Sequence, residues 1–160
     1  MSDPLTDELD ATGVAYDIVE CDPALADTAE FCAHYGYAMQ DSANAIVVVG
    51  KSEPRTYALC VVLATTRLDV NGVARKRLGS RKASFASPEE TAELTGMAIG
   101  GVTPVGLAGR LPIWIDSRVM ERERVIVGGG SRDRKFFVPP SGLAALAGAE
   151  IVDNLAKEPT

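Results

Sequence analysis

The sequence has few of the residues that build metal centres and disulfide frameworks. Its 160 residues include three cysteines and one histidine, and no CxxC pair occurs. Zinc sites and disulfide scaffolds need closely spaced ligands or paired cysteines. A nucleophilic Cys–His pair is not expected either, because Cys32 and His34 are too close to face each other on a helix. We therefore expect no metal and no cofactor, and we expect Cys60 in the run ALCVV to be a small core residue.

Long apolar runs and a positive overall charge are also absent. The longest apolar run, 58–64, is far shorter than the roughly 20 residues that span a bilayer, and MSDPLTDELD at the N-terminus does not resemble a signal peptide. A net charge of −6 argues against a protein that wraps a long nucleic-acid backbone. We expect a soluble, cytoplasmic, globular protein without a membrane partner, in which any contact with nucleic acid is local.

The apolar pattern predicts helices and strands in irregular alternation. Helices are predicted at 6–11, 27–36, 69–78, 87–96, 117–121 and 141–146. Strands are predicted at 14–20, 45–49, 57–64, 82–86, 111–115, 124–129 and 135–138. The runs 45–49 and 57–64 should form a central hairpin that is buried on both faces. We predict that residues 1–160 form a single α+β domain around a twisted, mixed, barrel-like β-sheet flanked by helices.

Several polar and aromatic side chains receive local predictions. Asp27 begins a sequence typical of a capping box, and Asp116 is predicted to cap the helix that follows it. Tyr35 and Tyr37 are predicted to pack against the protein, although stacking on a terminal adenine is an alternative. Trp114, within LPIWI, is predicted to lie in the core.

The segment GGVTPVG at 100–106 is too rich in glycine and proline to be regular structure. Glycines in a tight loop let backbone N–H groups approach a ligand, because no Cβ blocks them. The segment lacks the GxxxxGK[ST] pattern of a P-loop and the GxGxxG pattern of a dinucleotide site. On its own such a segment is typical of a structural turn.

Positive charge is clustered in two places. The first cluster, Arg75–Arg77 with Arg81–Lys82, is typical of a solvated helix face. The second cluster consists of Arg132, Arg134 and Lys135, and it follows the glycine-rich sequence VGGGSR. A cation beside such a turn suits a phosphate or a carboxylate.

Taken together, these blocks resemble the YbaK and prolyl-tRNA-synthetase-associated editing domain family. The resemblance rests on RKRLGSRKASFASPEE at 75–90, a helix ending in Thr95-Gly96, GGVTPVG, LPIWID at 111–116 and VGGGSR at 127–132, in this order and spacing. It extends from about residue 27 to residue 151. It implies a twisted mixed sheet with one pocket, and hydrolysis of wrongly attached amino acids from the 3′ end of tRNA, in trans or within a synthetase.

The resemblance also implies the site residues. The segment 100–104 matches the family's GxxxP loop, whose backbone N–H groups hold the ester carbonyl. The residues predicted to be catalytic are Asn44, Gly100, Gly101, Val102 and Thr103. The residues predicted to bind substrate are Pro104, Gly128, Gly129, Arg132 and Lys135. The expected partner is the 3′ end of an aminoacyl-tRNA, with an aminoacyl-tRNA synthetase as a further candidate.

Three positions depart from the family pattern. Asn44 stands where many members carry a lysine, Gly128 replaces a serine, and Lys135 replaces an aspartate. In one interpretation, Asn44 orients the ester or the attacking water, and Lys135 or Arg132 supplies the positive charge. In the other, the protein is a non-catalytic module that binds an aminoacyl or nucleotide-like ligand or associates with a synthetase.

Overall fold

The computed structural model describes residues 3–97 and 100–158. The described residues form five α-helices: α1 Pro4–Ala11, α2 Thr28–Tyr35, α3 Arg75–Leu78, α4 Pro88–Thr95 and α5 Pro140–Ala144. They also form ten strands: β1 Asp17–Glu20, β2 Ala43–Gly50, β3 Thr56–Leu63, β4 Arg67–Leu68, β5 Ala83–Phe85, β6 Ile113–Asp116, β7 Val125–Gly128, β8 Arg134–Val138, β9 Ala149–Val152 and β10 Ala156–Lys157. A π-helical turn, Val70–Ala74, precedes α3, and 3₁₀ turns occupy Pro23–Leu25, Met39–Asp41 and Ser117–Glu121.

Local sequence signals account for the ends of several helices. The Ser87 hydroxyl accepts a hydrogen bond of 3.0 Å from the N–H of Glu90 and so caps α4, as its sequence predicts. Gly36, Gly79 and Gly96 end their helices in the left-handed conformation, which glycine adopts without a steric cost. The predicted ends at these three glycines are confirmed.

Two aspartates, Asp27 and Asp116, lie at their predicted N-cap positions but do not form the predicted capping hydrogen bonds. The Asp27 carboxylate lies 3.5 Å from the guanidinium of Arg132. Asp116 is fully buried and accepts a hydrogen bond of 3.2 Å from the N–H of Ala156. In both cases a partner that is distant in sequence binds the carboxylate.

The main sheet is mixed, and its strand order is β5-β2-β3-β6-β9. The β2–β3 pair is the predicted antiparallel hairpin, with Val47 opposite Leu59, whereas β3–β6 and β6–β9 pair in parallel. A second sheet has the order β1-β8-β7, and β10 pairs with β4. A bridge between Ser42 and Ile126 connects the first two sheets. The α+β class and the mixed sheet are thus confirmed, but a closed barrel is not.

Both faces of the central hairpin are buried, as predicted. One face contributes to a core shared with β7 and β8, which includes Leu59 and Phe136, each at 0% exposure. The other face, which includes Cys60, packs with Trp114 of β6 against the segments around α3 and β10, so both residues are core residues as predicted. Burial raises the pKa of the Cys60 thiol to about 12. In the part of the chain that the structure describes, no helix is both long and apolar enough to cross a membrane.

Leu59→Ala tests whether the shared core dominates stability. Leu59 is fully buried in the middle of β3, so its truncation should lower the free energy of unfolding by about 2–5 kcal/mol. Ile151→Ala, at a side chain that is 49% exposed on β9, should change it by less than about 0.5 kcal/mol. Urea denaturation measures both values, and equal losses would contradict this assignment of the core.

Candidate functional site

A cavity of about 350 Å³ lies at the edge of β2. Strand β5 pairs only with Val48–Gly50, so the segment 43–47 of β2 borders open space. The other walls come from the start of α2, from the glycine loop, from β7 and β8, and from Phe85 and Ala86. Many lining side chains are alanine, serine or threonine. The cavity therefore combines backbone groups with small side chains.

The structure brings half of the predicted site residues to this cavity. The predicted residues that line it are Asn44, Gly100, Val102, Gly128 and Lys135. The predicted residues that do not line it are Gly101, Thr103, Pro104, Gly129 and Arg132. Thr103 is fully buried, and its hydroxyl accepts a hydrogen bond of 3.4 Å from the N–H of Val105. The functional roles of all ten residues remain predictions.

The glycine loop presents a run of backbone donors. Within residues 3–97 and 100–158, no group accepts a hydrogen bond from the N–H of Gly100, Gly101, Val102 or Thr103. Gly101 and Thr103 are buried, and buried N–H groups are almost always paired with protein, water or ligand. Gly100 has a φ of +93°, which favours glycine at this position. The loop can therefore offer N–H donors to a bound oxygen.

The glycine loop is held against a second glycine-rich segment, 128–131. The carbonyl of Gly101 accepts a hydrogen bond of 2.8 Å from the N–H of Gly130. A Cβ on Gly101 would lie 2.7 Å from the backbone of Ser131, and one on Gly128 would lie 2.2 Å from the carbonyl oxygen of Val102. Glycine at 101 and 128 is thus what allows the two segments to touch.

Asn44 is positioned by a threonine at the start of α2. The hydroxyl of Thr28 donates a hydrogen bond of 2.8 Å to Oδ1 of Asn44, and both residues line the cavity. No described residue hydrogen-bonds to the Asn44 amide nitrogen Nδ2. An amide nitrogen carries two N–H donors, so Asn44 keeps donor capacity beside the cavity. Thr28 was not predicted as a site residue, because only the fold brings α2 to β2.

Lys135 is a buried cation at the base of the glycine loop. It is 6% exposed, and its Nζ donates hydrogen bonds to the carbonyl oxygens of Ala26 at 2.6 Å and Gly100 at 3.3 Å. The ring of Phe31 lies 5.5 Å from Nζ. Burial lowers the pKa of Lys135 below its ordinary value of 10.5, because desolvation disfavours the charged form. Lys135 thus brings a donor, and a positive charge when protonated, to the cavity wall.

The two arginines of the second basic cluster are bound to protein groups. Arg132 donates to the carbonyl oxygen of Pro23 at 3.1 and 2.9 Å. Arg134 donates to the carbonyl of Gly129 at 2.7 Å and pairs with Asp3 at 2.6 Å, and this hydrogen bond lowers the pKa of Asp3. In this cluster, the cation that lines the cavity is Lys135.

The aromatic residue that lines the cavity is Phe85, which was not predicted as a site residue. Tyr35 and Tyr37 pack on Phe31 with ring centroids 4.9 and 5.5 Å apart, so the packing interpretation is confirmed. Phe85 lines the cavity and is 57% exposed. Its position in KASFA, an apolar residue in a short strand, carries no signal that distinguishes the rim of a cavity from a core.

The fold and the site define an α+β protein whose cavity can hold an acyl oxygen between backbone donors, an amide and a lysine. Residues 22–146 match the model of the aminoacyl-tRNA editing domain family. The chain belongs to this family, as the sequence resemblance predicts.

Individual relatives agree with this family. The chain is 27% identical over 120 residues to the multifunctional Ser/Thr-tRNA deacylase ProXp-y of Escherichia coli strain K12, covering 74% of this chain and 71% of that protein. A crystal structure of a protein proposed to be a trans-editing enzyme for prolyl-tRNA synthetase is 31% identical, with a TM-score of 0.79 and 99% coverage of both chains. The hypothetical protein APE2540 shares the fold, with a TM-score of 0.84 at 22% identity over 97% of this chain and 100% of that chain.

Gly128→Ser tests the contact between the two glycine-rich segments. The new side chain would meet the carbonyl of Val102, so we expect the free energy of unfolding to fall by about 1–3 kcal/mol. Gly36→Ala is the control away from the site. Gly36 has a φ of +80° and nothing within 4 Å of an added Cβ, so only backbone strain of about 1–2 kcal/mol applies. Urea denaturation measures both free energies of unfolding. A Gly128→Ser variant as stable as the parent would contradict a tight contact between the two glycine-rich segments.

The lowered pKa of Lys135 predicts a pH dependence of stability. Between that pKa and 10.5, the unfolded chain binds more protons at this site than the folded chain, so the site's contribution to stability rises with pH. The groups that affect its charge are Cys21, Arg132, Asp27 and Cys32. Methionine does not titrate, so Lys135→Met is the reference. The unfolding free energy of the parent minus that of Lys135→Met should increase as the pH approaches 10.5. Parallel urea titrations measure this difference, and a falling difference would contradict the burial effect.

Proposed function

We propose that this protein is a trans-acting deacylase that hydrolyses the ester of mischarged aminoacyl-tRNA. The observation that carries this proposal is the run of N–H groups in the glycine loop that have no partner among the described residues, beside Lys135 and a cavity of about 350 Å³. Membership of the aminoacyl-tRNA editing domain family supports the same substrate class. The cytoplasm, where tRNAs are charged, is the compartment that this activity requires.

The loop would stabilise the charge that develops during hydrolysis. Attack on the ester carbonyl converts its oxygen into an oxyanion, and preorganised N–H donors stabilise that charge in a site that excludes water. The segment 100–104 provides such donors, since Gly100 and Val102 line the cavity. Gly101 and Thr103 do not line the cavity, but they are next to these residues in the chain, and their N–H groups also have no partner among the described residues. The hydrogen bond from Gly130 to the carbonyl of Gly101 keeps the loop backbone in place.

Lys135 and Asn44 would complete the carbonyl site from the other walls. An ammonium has three N–H donors, and two of those on Lys135 bind the carbonyls of Ala26 and Gly100. The third is available to the substrate oxygen. The Nδ2 of Asn44, oriented by Thr28 through Oδ1, can hold the ester or the attacking water.

The nucleophile would be water or a group of the substrate itself. His34, the histidine of the chain, is exposed on α2 and does not line the cavity, so a Ser–His–Asp arrangement around it is not available. A hydroxyl on the substrate's amino-acid side chain could attack as well. The name of the Escherichia coli relative specifies Ser/Thr-tRNA, which makes Ser- and Thr-charged tRNAs the first substrates to test.

A non-catalytic binding module is the second candidate. It is favoured by Asn44, because asparagine cannot supply the charge that a lysine supplies at this position in many family members. Such a module would bind an aminoacyl or nucleotide-like ligand, or would associate with a synthetase. It predicts a measurable dissociation constant for a ligand, with no turnover of any charged tRNA.

A deacylation screen over charged tRNAs separates the two candidates. If the protein is a deacylase, Asn44→Ala should lower kcat about 10²–10³-fold, the usual cost of losing a transition-state donor. Gln40→Ala, at an exposed side chain, should leave kcat unchanged. The double variant Asn44→Lys/Lys135→Asp restores the family residues. Activity in this double variant alone would contradict catalysis by the natural protein and would support the binding module.

A further inference from the structure

Phe85 is an exposed aromatic side chain at the rim of the cavity. It is 57% exposed and ends the edge strand β5. Among the described residues, the other large hydrophobic side chains exposed to this degree are Ile18 and Ile151, each at 49%. Neither of these lines the cavity. The Phe85 ring is therefore accessible to a ligand at the mouth of the cavity.

Phe85 also borders a second cavity, of about 630 Å³. This cavity lies between β5 and the segments that contain β4, the π-helical turn and β10. Phe85 lines both cavities and therefore lies between them. Open space for a planar group is therefore available next to the ring.

Three exposed cations lie in the hairpin turn and in the segment just before β5, which contains Phe85. Lys51, Arg81 and Lys82 are exposed, and none of them forms an ion pair within the described residues. A hydrogen bond of 2.9 Å from the N–H of Lys51 to the carbonyl of Lys82 joins the hairpin turn to the segment before β5. At a rise of about 3.3 Å per residue, Lys82 lies roughly 10 Å along the strand from Phe85.

We propose that Phe85, Lys51, Arg81 and Lys82 form a docking surface for the single-stranded 3′ end of an RNA, hereafter the rim surface. A base stacks on Phe85, and the cations bind the phosphates of the same strand. The choice of RNA rests on the proposed function, which places an aminoacyl ester in the adjoining cavity. An ester held there carries its terminal nucleotide at the rim.

The chemistry of the rim surface matches single-stranded nucleic acid. Such strands are bound by aromatic rings that stack on bases and by cations that follow the backbone. The protein carries a net charge of −6, yet in the turn 51–55 and the segment 80–82 the cations outnumber the one acid, Glu53. The basic surface is therefore small and can contact only a short stretch of nucleic acid. A single-stranded end needs only such a short contact, whereas a long duplex needs an extended one.

Binding of a hairpin RNA with a single-stranded CCA 3′ overhang tests the role of Phe85. Phe85→Ala should weaken binding about 5- to 150-fold, which corresponds to one stacked base. Phe85→Tyr should retain binding, because the ring is kept. Ile151→Ala is the matched control at the opposite edge of the same sheet, and it should bind like the parent. Fluorescence anisotropy measures the dissociation constants, with a blunt hairpin as the probe for duplex binding.

The salt dependence of binding tests the cations. For single strands, log Kobs falls with log salt with a slope of about −0.7 for each phosphate neutralised. Arg81→Gln/Lys82→Gln should therefore reduce the magnitude of the slope by about 1.4. Arg122→Gln/Arg124→Gln makes the same change in charge at residues before β7 and should leave the slope unchanged. Equal slopes for the parent and the Arg81/Lys82 variant would overturn the role of these cations.

The outcomes also separate the rim surface from the proposed function. If the parent deacylates charged tRNA while Phe85→Ala matches it in KM and in RNA binding, the rim surface is wrong and the function stands. If the parent binds the overhang through Phe85 but deacylates no charged tRNA, the rim surface stands and the function is wrong. Failure of the parent to bind the overhang, or equal binding of the blunt hairpin, overturns the rim surface.

Discussion

The contact between the two glycine-rich segments is the constraint on which the candidate site depends. The N–H of Gly130 binds the carbonyl of Gly101, and a side chain at Gly128 would collide with the carbonyl of Val102. The carbonyls of Gly101 and Val102 therefore turn towards the segment 128–131. The N–H groups of residues 100–103 are left without described partners. A loop that was free to pair its own donors could not present them to a substrate.

Lys135 connects this contact to the rest of the fold. It lies on β8, directly after the glycine-rich segment, and its ammonium binds Gly100 of one segment and Ala26 just before α2. One buried side chain thus fixes three walls of the cavity. The cost is the desolvation of a cation, which lowers its pKa. The carbonyl oxygens of Ala26 and Gly100 and the Phe31 ring offset part of that cost.

The sequence predicted the elements whose causes are local and missed those whose causes are distant. The β2–β3 hairpin and the helix ends at Gly36 and Gly96 follow from apolar runs and from the conformational freedom of glycine. The carboxylates of Asp27 and Asp116 were predicted to cap helices, because capping is the role that the neighbouring sequence alone indicates for an aspartate. Each binds instead a group from another part of the chain. The exposure of Phe85 depends on how few residues of β2 are covered by β5, which no local pattern encodes.

The presence of Lys135 bears on Asn44, the position where the family resemblance predicts a lysine. Both residues line one cavity of about 350 Å³, and two ammonium groups there would each disfavour the charged form of the other. A lysine at both positions would leave one of them neutral or force it out of the cavity. Asparagine keeps a hydrogen-bond donor at position 44 without a second charge. In this protein the cation lies on β8, next to the carbonyl of Gly100, so under the proposed function the positive charge comes from β8 and the N–H donors come from the glycine loop.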